Sequence, residues 1–447
     1  MRTSFQICIL SLVALIIGVA APKVNAQCTG NIYPNEYVDA ADLAQLLADW
    51  GPCTNCPGDI DLDGAVTGND LGQLLGGWGP CAPFIASVAP VQGSIVGGMP
   101  ITISGAYFTS ATSVSIGGAL ATNLVVVSST TITAVTPTGT LGPADVVVTT
   151  PAGTLTSLNI FSYVFNFVPA WATLLEATPD PTVVTDANLR AGIVASGLAW
   201  RIKDTSSNIE MLLVPAGTFT MGCSESIQYA CIPDEVPTHQ VTLMQAFYMG
   251  LYEVTQAEWT AKMGSNPSFF YGYSDSPSRP VEQVSWNMIA SGSTSFMSLT
   301  GLRLPTEAEW EYAYRAGTTT AFHSYPAQPN GFDDDTLLGN IAWYSGNNGA
   351  SGSSTYGTKA VGGKFANALG LHDMTGNVWE WCQDWYSRTY YASSPLTNPT
   401  GPTTGTYRLL RGGYWNFSSY YCRASRRLSY TPDGIGTYIG FRVVRTP

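Results

Sequence analysis

Two stretches of this chain repeat one another at a constant shift. Cys28–Cys53 reads CTGNIYPNEYVDAADLAQLLADWGPC, and Cys56–Cys81 reads CPGDIDLDGAVTGNDLGQLLGGWGPC. Cys, Asp-Leu, Gln-Leu-Leu and Trp-Gly-Pro-Cys recur in register, which marks a duplicated structural unit. Each copy is bracketed by cysteines, so Cys28–Cys53 and Cys56–Cys81 are the simplest disulfides. The remaining cysteines beyond the leader, Cys223, Cys231, Cys382 and Cys422, lie far downstream. The cysteine-free gap between the clusters divides the chain into at least three regions.

The second copy carries Asp59, Asp61, Asp63 and Gly64, followed by Thr67 and Asp70. These fall at positions 1, 3, 5, 6, 9 and 12 of a calcium loop, with the Ala65 carbonyl at position 7. Leu71, Leu74 and Leu75 then recur at helical spacing. In the first copy the same places hold Asn31, Tyr33, Asn35, Asp39 and Asp42, and Tyr33 is a poor ligand. A solvated acidic turn is the plain alternative. The pattern resembles the dockerin type I repeat, although the bracketing cysteines depart from it. That resemblance implies bound calcium and a cohesin-like or cell-surface protein as partner.

Residues 1–26 combine Arg2, an apolar run from Ile7 to Ala21, and Val24-Asn25-Ala26 as a small-residue cleavage site. They read as a secretory signal, with an uncleaved anchor as the alternative. A secreted or cell-surface location and an even set of cysteines agree with disulfides. No membrane span is expected after cleavage. The formal net charge of −12 disfavours nucleic acid, whose phosphates need Lys and Arg. Only 11% of residues are charged, but 45% are hydrophobic, which excludes a charged disordered chain.

Residues 83–164 lack cysteine and are rich in Val, Thr, Ser and Gly. Period-2 runs begin at Ile101, Ser113, Thr131 and Asp145, separated by turn residues, which predicts an antiparallel sandwich. The string PFIASVAPVQGSIVGGMPITISGAYF resembles the IPT/TIG immunoglobulin-like domain, a spacer or adhesion module. Residues 165–200 read as a connector with one or two short helices.

Residues 201–447 contain all three histidines. Thr255-Gln-Ala-Glu258 and Thr306-Glu-Ala-Glu309 are capping boxes that start helices, and Gly264 and Gly317 are their expected stops. The rest is rich in turns. The ordered strings LVPAGTFTMGC, FYMGLYEVTQAEW, RPVEQVSW, GLRLPTEAEWEYAYRAG, GLHDMTGNVWEWCQDW, RLLRGGYW and GFRVV resemble the formylglycine-generating enzyme, or sulfatase-modifying factor, family. The resemblance implies an α+β, C-type-lectin-like fold with little regular secondary structure. The expected whole is a multidomain chain: a small α calcium-loop repeat at 27–82, an all-β sandwich at 83–164, and this domain at 201–447.

Active members of the family oxidise a sulfatase cysteine with copper and oxygen, and two cysteines hold the metal. Here the corresponding string runs Gly412-Gly413-Tyr414-Trp415-Asn416-Phe417 and reaches only Cys422. Soft thiolates suit Cu(I), so the copper site is missing. The resemblance places Cys422 at a structural cysteine and leaves Cys382 as its expected partner, with Cys223–Cys231 as the other pair. It also implies calcium at Asp373, the Gly376 and Val378 carbonyls, and Glu380. A second calcium site at Asn340 lacks its acidic partner segment. His239, His323 and His372 share no ligand spacing.

Residues 401–447 hold seven arginines and one acid, Asp433. Arg411, Arg426, Arg427, Trp379 and Trp415 are therefore candidates for an anionic or sulfated ligand. Internal pairing of these arginines with Glu307, Glu309, Glu311 and Glu380 is the alternative. The leading functional expectation is a calcium-stabilised ligand- or protein-binding member of the family. The alternatives are a formylglycine-generating oxidase or related metal-dependent oxygenase, and an adhesion or matrix-assembly protein.

Overall fold

The computed structural model describes residues 28–33, 35–223 and 229–447. The secretory signal expected at 1–26 lies outside the described residues. Among them, no helix is long and apolar enough to cross a membrane.

The duplicated segment folds as two loop–helix units, with helices Ala40–Ala48 and Gly68–Gly76. Each helix is opened by a buried carboxylate. Asp42 accepts from the amides of Ile32 and Tyr33 (2.7 Å each) and Asp39 (2.8 Å). Asp70 accepts from Ile60 (2.8 Å), Asp61 (3.3 Å) and Thr67 (2.8 Å), the same three places in the second copy. Burial opposes ionisation of Asp70. The backbone donors of Thr67, Asp61 and Ile60 outweigh it and hold the carboxyl below its usual range. Val38, Leu46, Val66 and Leu74 close a core between the copies.

The copies also exchange strands. Tyr37–Val38 pairs with Gly79–Pro80, and Gly51–Pro52 pairs with Ala65–Val66. This exchange overturns the expected Cys28–Cys53 and Cys56–Cys81 disulfides. It sets the start of the first copy beside the end of the second, where Cys28 bonds Cys81, and neither Cys53 nor Cys56 takes part in that bond.

Residues 84–164 form the expected sandwich. Strands Thr122–Ser128, Thr131–Val135, Pro100–Ala106 and Phe84–Ala89 make one antiparallel sheet. Gln92–Ser94, Gly153–Val164, Gly142–Thr150, Ser113–Ile116 and Ala119–Leu120 make the other. Alternate residues such as Ile101, Ile103, Val114, Ile116, Val146 and Val148 meet between them.

The stretch 165–200 is not a free connector. Ala172–Glu176 is the first strand of a five-stranded antiparallel sheet, followed by Arg201–Asp204, Glu210–Val214, Phe247–Gly250 and Val444–Arg445. Helix Ala187–Ala195 buries Leu189 and Ile193 in the same core as Trp200 and Val184. The sandwich touches the end of this helix, where the Ser94 hydroxyl donates to the Ser196 carbonyl (3.0 Å).

Both capping boxes form, opening helices Gln256–Met263 and Glu307–Arg315. The first stops at Gly264 with φ 75°. The second stops one residue before the expected glycine, with Ala316 in the left-handed conformation. A four-stranded sheet, ordered Leu428–Tyr430, Arg408–Arg411, Trp379–Trp385 and Ile439–Gly440, faces the second helix. The Cys223–Cys231 disulfide forms as expected. Cys382 and Cys422 do not bond; they are buried in separate clusters, which corrects their expected pairing.

Replacing the buried Asp42 with Ala leaves the amides of Ile32, Tyr33 and Asp39 without their acceptor in a partly exposed loop. Hydrogen exchange over residues 28–81 should report a loss of about 2 kcal/mol in that module, while exchange in 201–447 stays unchanged.

Candidate functional site

Helix Glu307–Arg315 presents Glu307 and Glu311 one turn apart. Arginines from the C-terminal segment converge on them. Arg427 grips Glu307 through two bonds (Nε–Oε1 2.7 Å, Nη2–Oε2 2.9 Å). Arg411 bonds Glu311 and lies 3.6 Å from Glu307. Arg315 closes the group on Glu311 (Nη2–Oε1 2.8 Å). Beside it, Arg423 forks onto Glu235 at 2.8 and 3.0 Å. Arg408 is held between the rings of Trp286 and Trp385, 3.6 and 3.5 Å from their centroids.

These contacts correct the expected ligand surface. Arg411, Arg427, Trp379 and Trp415 are all buried, and both arginines are consumed by internal carboxylates. Arg426 alone of the five is partly exposed, over the rings of Tyr420 and Tyr421, and its Nη1 lies 3.9 Å from Glu235.

The Gly412–Cys422 loop lies against this network. Gly412 and Gly413 have φ of 99° and 80°, and a Cβ on Gly413 would meet the Cys422 sulfur at 2.7 Å. The space after them is filled by rings. Tyr414 packs on Phe417 (4.5 Å) and Tyr438 (4.7 Å), and Trp415 on Tyr356 (4.6 Å). Burial pushes the Cys422 thiol up to about 12, so it stays protonated at neutral pH and is no metal-ready thiolate. Cys382 is likewise pushed up by burial. A copper ion finds no pair of thiolates in this loop, so the residues present do not fit that metal.

The histidines serve separate places. His323 is buried with Nδ1 against the Ser324 carbonyl (2.8 Å), and burial lowers its pKa to about 4. His372 Nδ1 meets the Lys364 carbonyl (2.9 Å), and the His239 ring packs on Tyr391.

The expected calcium residues divide. Asp373 is buried at φ 54°, its carboxylate accepting from the Gly362 amide (2.6 Å). Glu380 is not a free ligand, because Arg442 bonds both its oxygens (2.7 Å each) and the Trp310 indole donates to one (2.7 Å). Glu253, unnoticed in the sequence, accepts from the Val378 amide (3.0 Å) and Asn377 (2.6 Å). Burial, then the nearby Asp373 and Glu380, pushes its carboxyl well up. Asp373 is raised as well, by burial first, so of these three neighbouring acids only Glu380 is ion-paired with Arg442, while Glu253 and Asp373 are driven toward the neutral form.

Among the described residues, one group of potential ligand side chains converges: Asp59, Asp61 and Asp63, with carboxylate oxygens within 4.8 Å of one another. Asp59 also accepts from the Asp63 and Gly64 amides (3.1 and 2.9 Å), which shapes the turn. Thr67 caps the helix that follows. Asp70 does not face the three; it binds the backbone amides described above.

Residues 200–447 match the family described as the sulfatase-modifying factor enzyme 1-like domain, and residues 83–163 match the IPT/TIG domain. The first match covers more than half of the chain, and the chain belongs to that sulfatase-modifying factor family. It is 39% identical over 178 residues to the formylglycine-generating enzyme of Streptomyces coelicolor, covering 37% of this chain and 52% of that protein. It is 36% identical over 204 residues to the formylglycine-generating enzyme of Thermomonospora curvata, covering 43% of this chain and 63% of that protein. It is also 31% identical over 263 residues to the serine/threonine-protein kinase Pkn1 of Chlamydia trachomatis, covering 53% of this chain and 38% of that protein. The chain spans less than two thirds of the length of each of these relatives.

Two further buried acids set the domain's pH response. Glu282 accepts from the Phe270 amide (2.7 Å) while its Oε2 has no partner, and burial raises it to about 7. Burial and then Glu307 raise Asp384 to about 8. The folded state keeps these protons where the unfolded chain has lost them. Their contribution is therefore full at acid pH and is lost as pH rises through 7 to 8. The melting temperature should fall between pH 5 and 8.5, and Glu282→Gln should fall less; an equal fall in both proteins contradicts the assignment.

Proposed function

We propose that this protein is a non-catalytic, calcium-stabilised binding member of the sulfatase-modifying factor family, exported to the cell exterior or surface. One observation carries the reading. The loop that resembles the family's copper loop holds Tyr414, Trp415 and Phe417 packed on one another, and its single thiol, Cys422, is buried in a separate cluster, where burial pushes its pKa up. Oxidation of a peptide cysteine by copper needs paired soft ligands at that place, and the chain offers aromatic rings instead. The arrangement argues against copper redox chemistry at this place. That the kinase Pkn1 of Chlamydia trachomatis carries a similar segment supports a domain used outside formylglycine formation.

Calcium belongs to the proposal at two places. Asp59, Asp61 and Asp63 supply hard oxygen donors, joined by Thr67 and the Ala65 carbonyl. Asp70 would join only by giving up part of its hold on the Ile60 and Thr67 amides. Such a repeat resembles a dockerin and would dock a cohesin-like or cell-surface protein. The second place is Asp373 with the carbonyls of Gly376 and Val378, among the buried carboxyl groups of Asp373, Glu253 and Glu380. Glu380 would take part only while also serving Arg442. An anionic or sulfated ligand would have to be met by Arg426, since Arg411 and Arg427 are paired inside.

Metal analysis of the purified full chain, with an assay on a cysteine-containing sulfatase peptide, tests this reading. Calcium without copper or iron, and an unmodified peptide, are expected. Copper or iron at about one equivalent, or formylglycine in the peptide, contradicts it. Asp61→Ala with Asp63→Ala should lower the bound calcium by one ion per chain, with the melting of the C-terminal domain unaltered.

A further inference from the structure

The two copies of the N-terminal repeat are related by an exchange that swaps Cys28 with Cys56 and Cys81 with Cys53. The backbone obeys this exchange in detail. Strand Tyr37–Val38 pairs with Gly79–Pro80, and its counterpart Ala65–Val66 pairs with Gly51–Pro52. The Asn31 amide donates to the Cys28 carbonyl (2.9 Å), and the Asp59 amide to the Cys56 carbonyl (3.1 Å). The Cys81 amide donates to the Glu36 carbonyl (2.8 Å), and the Cys53 amide to the Gly64 carbonyl (3.0 Å). The pair Cys28 and Cys81 is bonded, with its Cα atoms 5.4 Å apart. Its image under the same exchange is the pair Cys56 and Cys53.

We infer that Cys53 and Cys56 form a second disulfide between the copies, the counterpart of Cys28–Cys81. Thr54 and Asn55 separate Cys53 from Cys56, and Asn55 at φ 58° provides the reversal that folds one sulfur onto the other. Both residues are partly exposed, whereas Cys382 and Cys422 are enclosed in the C-terminal core. The Cys53–Cys56 link therefore sits where an external disulfide can reach it.

The reaction is thiol–disulfide exchange with a small disulfide such as oxidised glutathione. One thiolate attacks the disulfide and releases one glutathione thiol. The second protein thiolate then attacks the mixed disulfide and releases the other. One S–S bond forms in the protein and one is broken in the oxidant. Two electrons pass to the oxidant, and the two thiol protons end on the glutathione thiols.

The two links differ in weight. Cys28–Cys81 spans 53 residues of sequence, while Cys53–Cys56 closes a turn of four residues. A longer closed loop restricts the unfolded chain more, so the long link holds more of the module's stability. The short one is the first to open under a reductant.

The full chain, equilibrated with oxidised glutathione and treated with iodoacetamide without denaturant, is digested and mapped by mass spectrometry. Peptides linked Cys28–Cys81 and Cys53–Cys56 are expected, with Cys382 and Cys422 alkylated only after unfolding. A limiting reductant should open Cys53–Cys56 before Cys28–Cys81. Alkylated Cys53 and Cys56 after oxidation, or links Cys28–Cys53 and Cys56–Cys81, overturn the inference. Cys28→Ser with Cys81→Ser provides a second arm. If that variant folds, it should still yield the Cys53–Cys56 peptide, and its absence counts against the proposal. If it does not fold, the mapping of the native chain decides.

Discussion

Glu307 and Glu311, one helical turn apart and wholly enclosed, are the acceptors around which the C-terminal domain is assembled. Burial alone would drive Glu307 to take up a proton. Arg427 and Arg411 reverse this and hold it ionised below its usual range. Arg411 comes from the central strand of the four-stranded sheet, and Arg427 from the segment just after Cys422. The pairing therefore ties helix, sheet and loop at one point. Glu311 also accepts from the Gly222 amide (2.9 Å), which anchors the chain beside the Cys223–Cys231 disulfide. Removing one partner of such a group leaves an enclosed charge without compensation, at a cost of about 3–5 kcal/mol.

The same constraint explains the surface and the absence of a basic ligand platform. The arginines of the last residues are spent inside, on Glu307, Glu311, Glu235, Glu380 and Asp204. What lies around the Gly412–Cys422 loop is a cluster of aromatic rings, with Asn416 exposed at its edge. The repeat at the other end uses a related device: Asp42 and Asp70 are enclosed carboxylates whose counterparts are backbone amides rather than guanidinium groups. In both regions an acid organises a turn-rich segment that has little regular structure to hold it.

Local signals in the sequence translated well into structure. The capping boxes at Thr255 and Thr306 depend on residues three positions apart, and both form. The alternating runs at Ile101 and Thr131 became neighbouring antiparallel strands of one sheet, because a period of two needs only one buried face. Cys223 and Cys231 are close enough in sequence to meet across one loop. Features set by distant partners were not legible. Ala172–Glu176 shows no clear alternation and becomes a strand only beside Arg201–Asp204. The disulfide pairing of the repeat follows from which copy receives which strand. The sequence left Arg427 open between a ligand surface and internal pairing with an acid such as Glu307, because the two lie 120 residues apart. Glu253 and Glu282 escaped notice for the same reason: an acid inside an apolar string shows its role only when its surroundings are known.

The claim that this domain is built on enclosed arginine–glutamate pairing is tested most directly by a double-mutant cycle on Arg411 and Glu311, using Arg411→Met and Glu311→Gln. Equilibrium unfolding of the two single variants and the double variant gives their coupling energy. The account predicts that each single change costs several kcal/mol, about 3–5, and that the double change costs clearly less than their sum. Strict additivity, with single variants as stable as the parent protein, would contradict it.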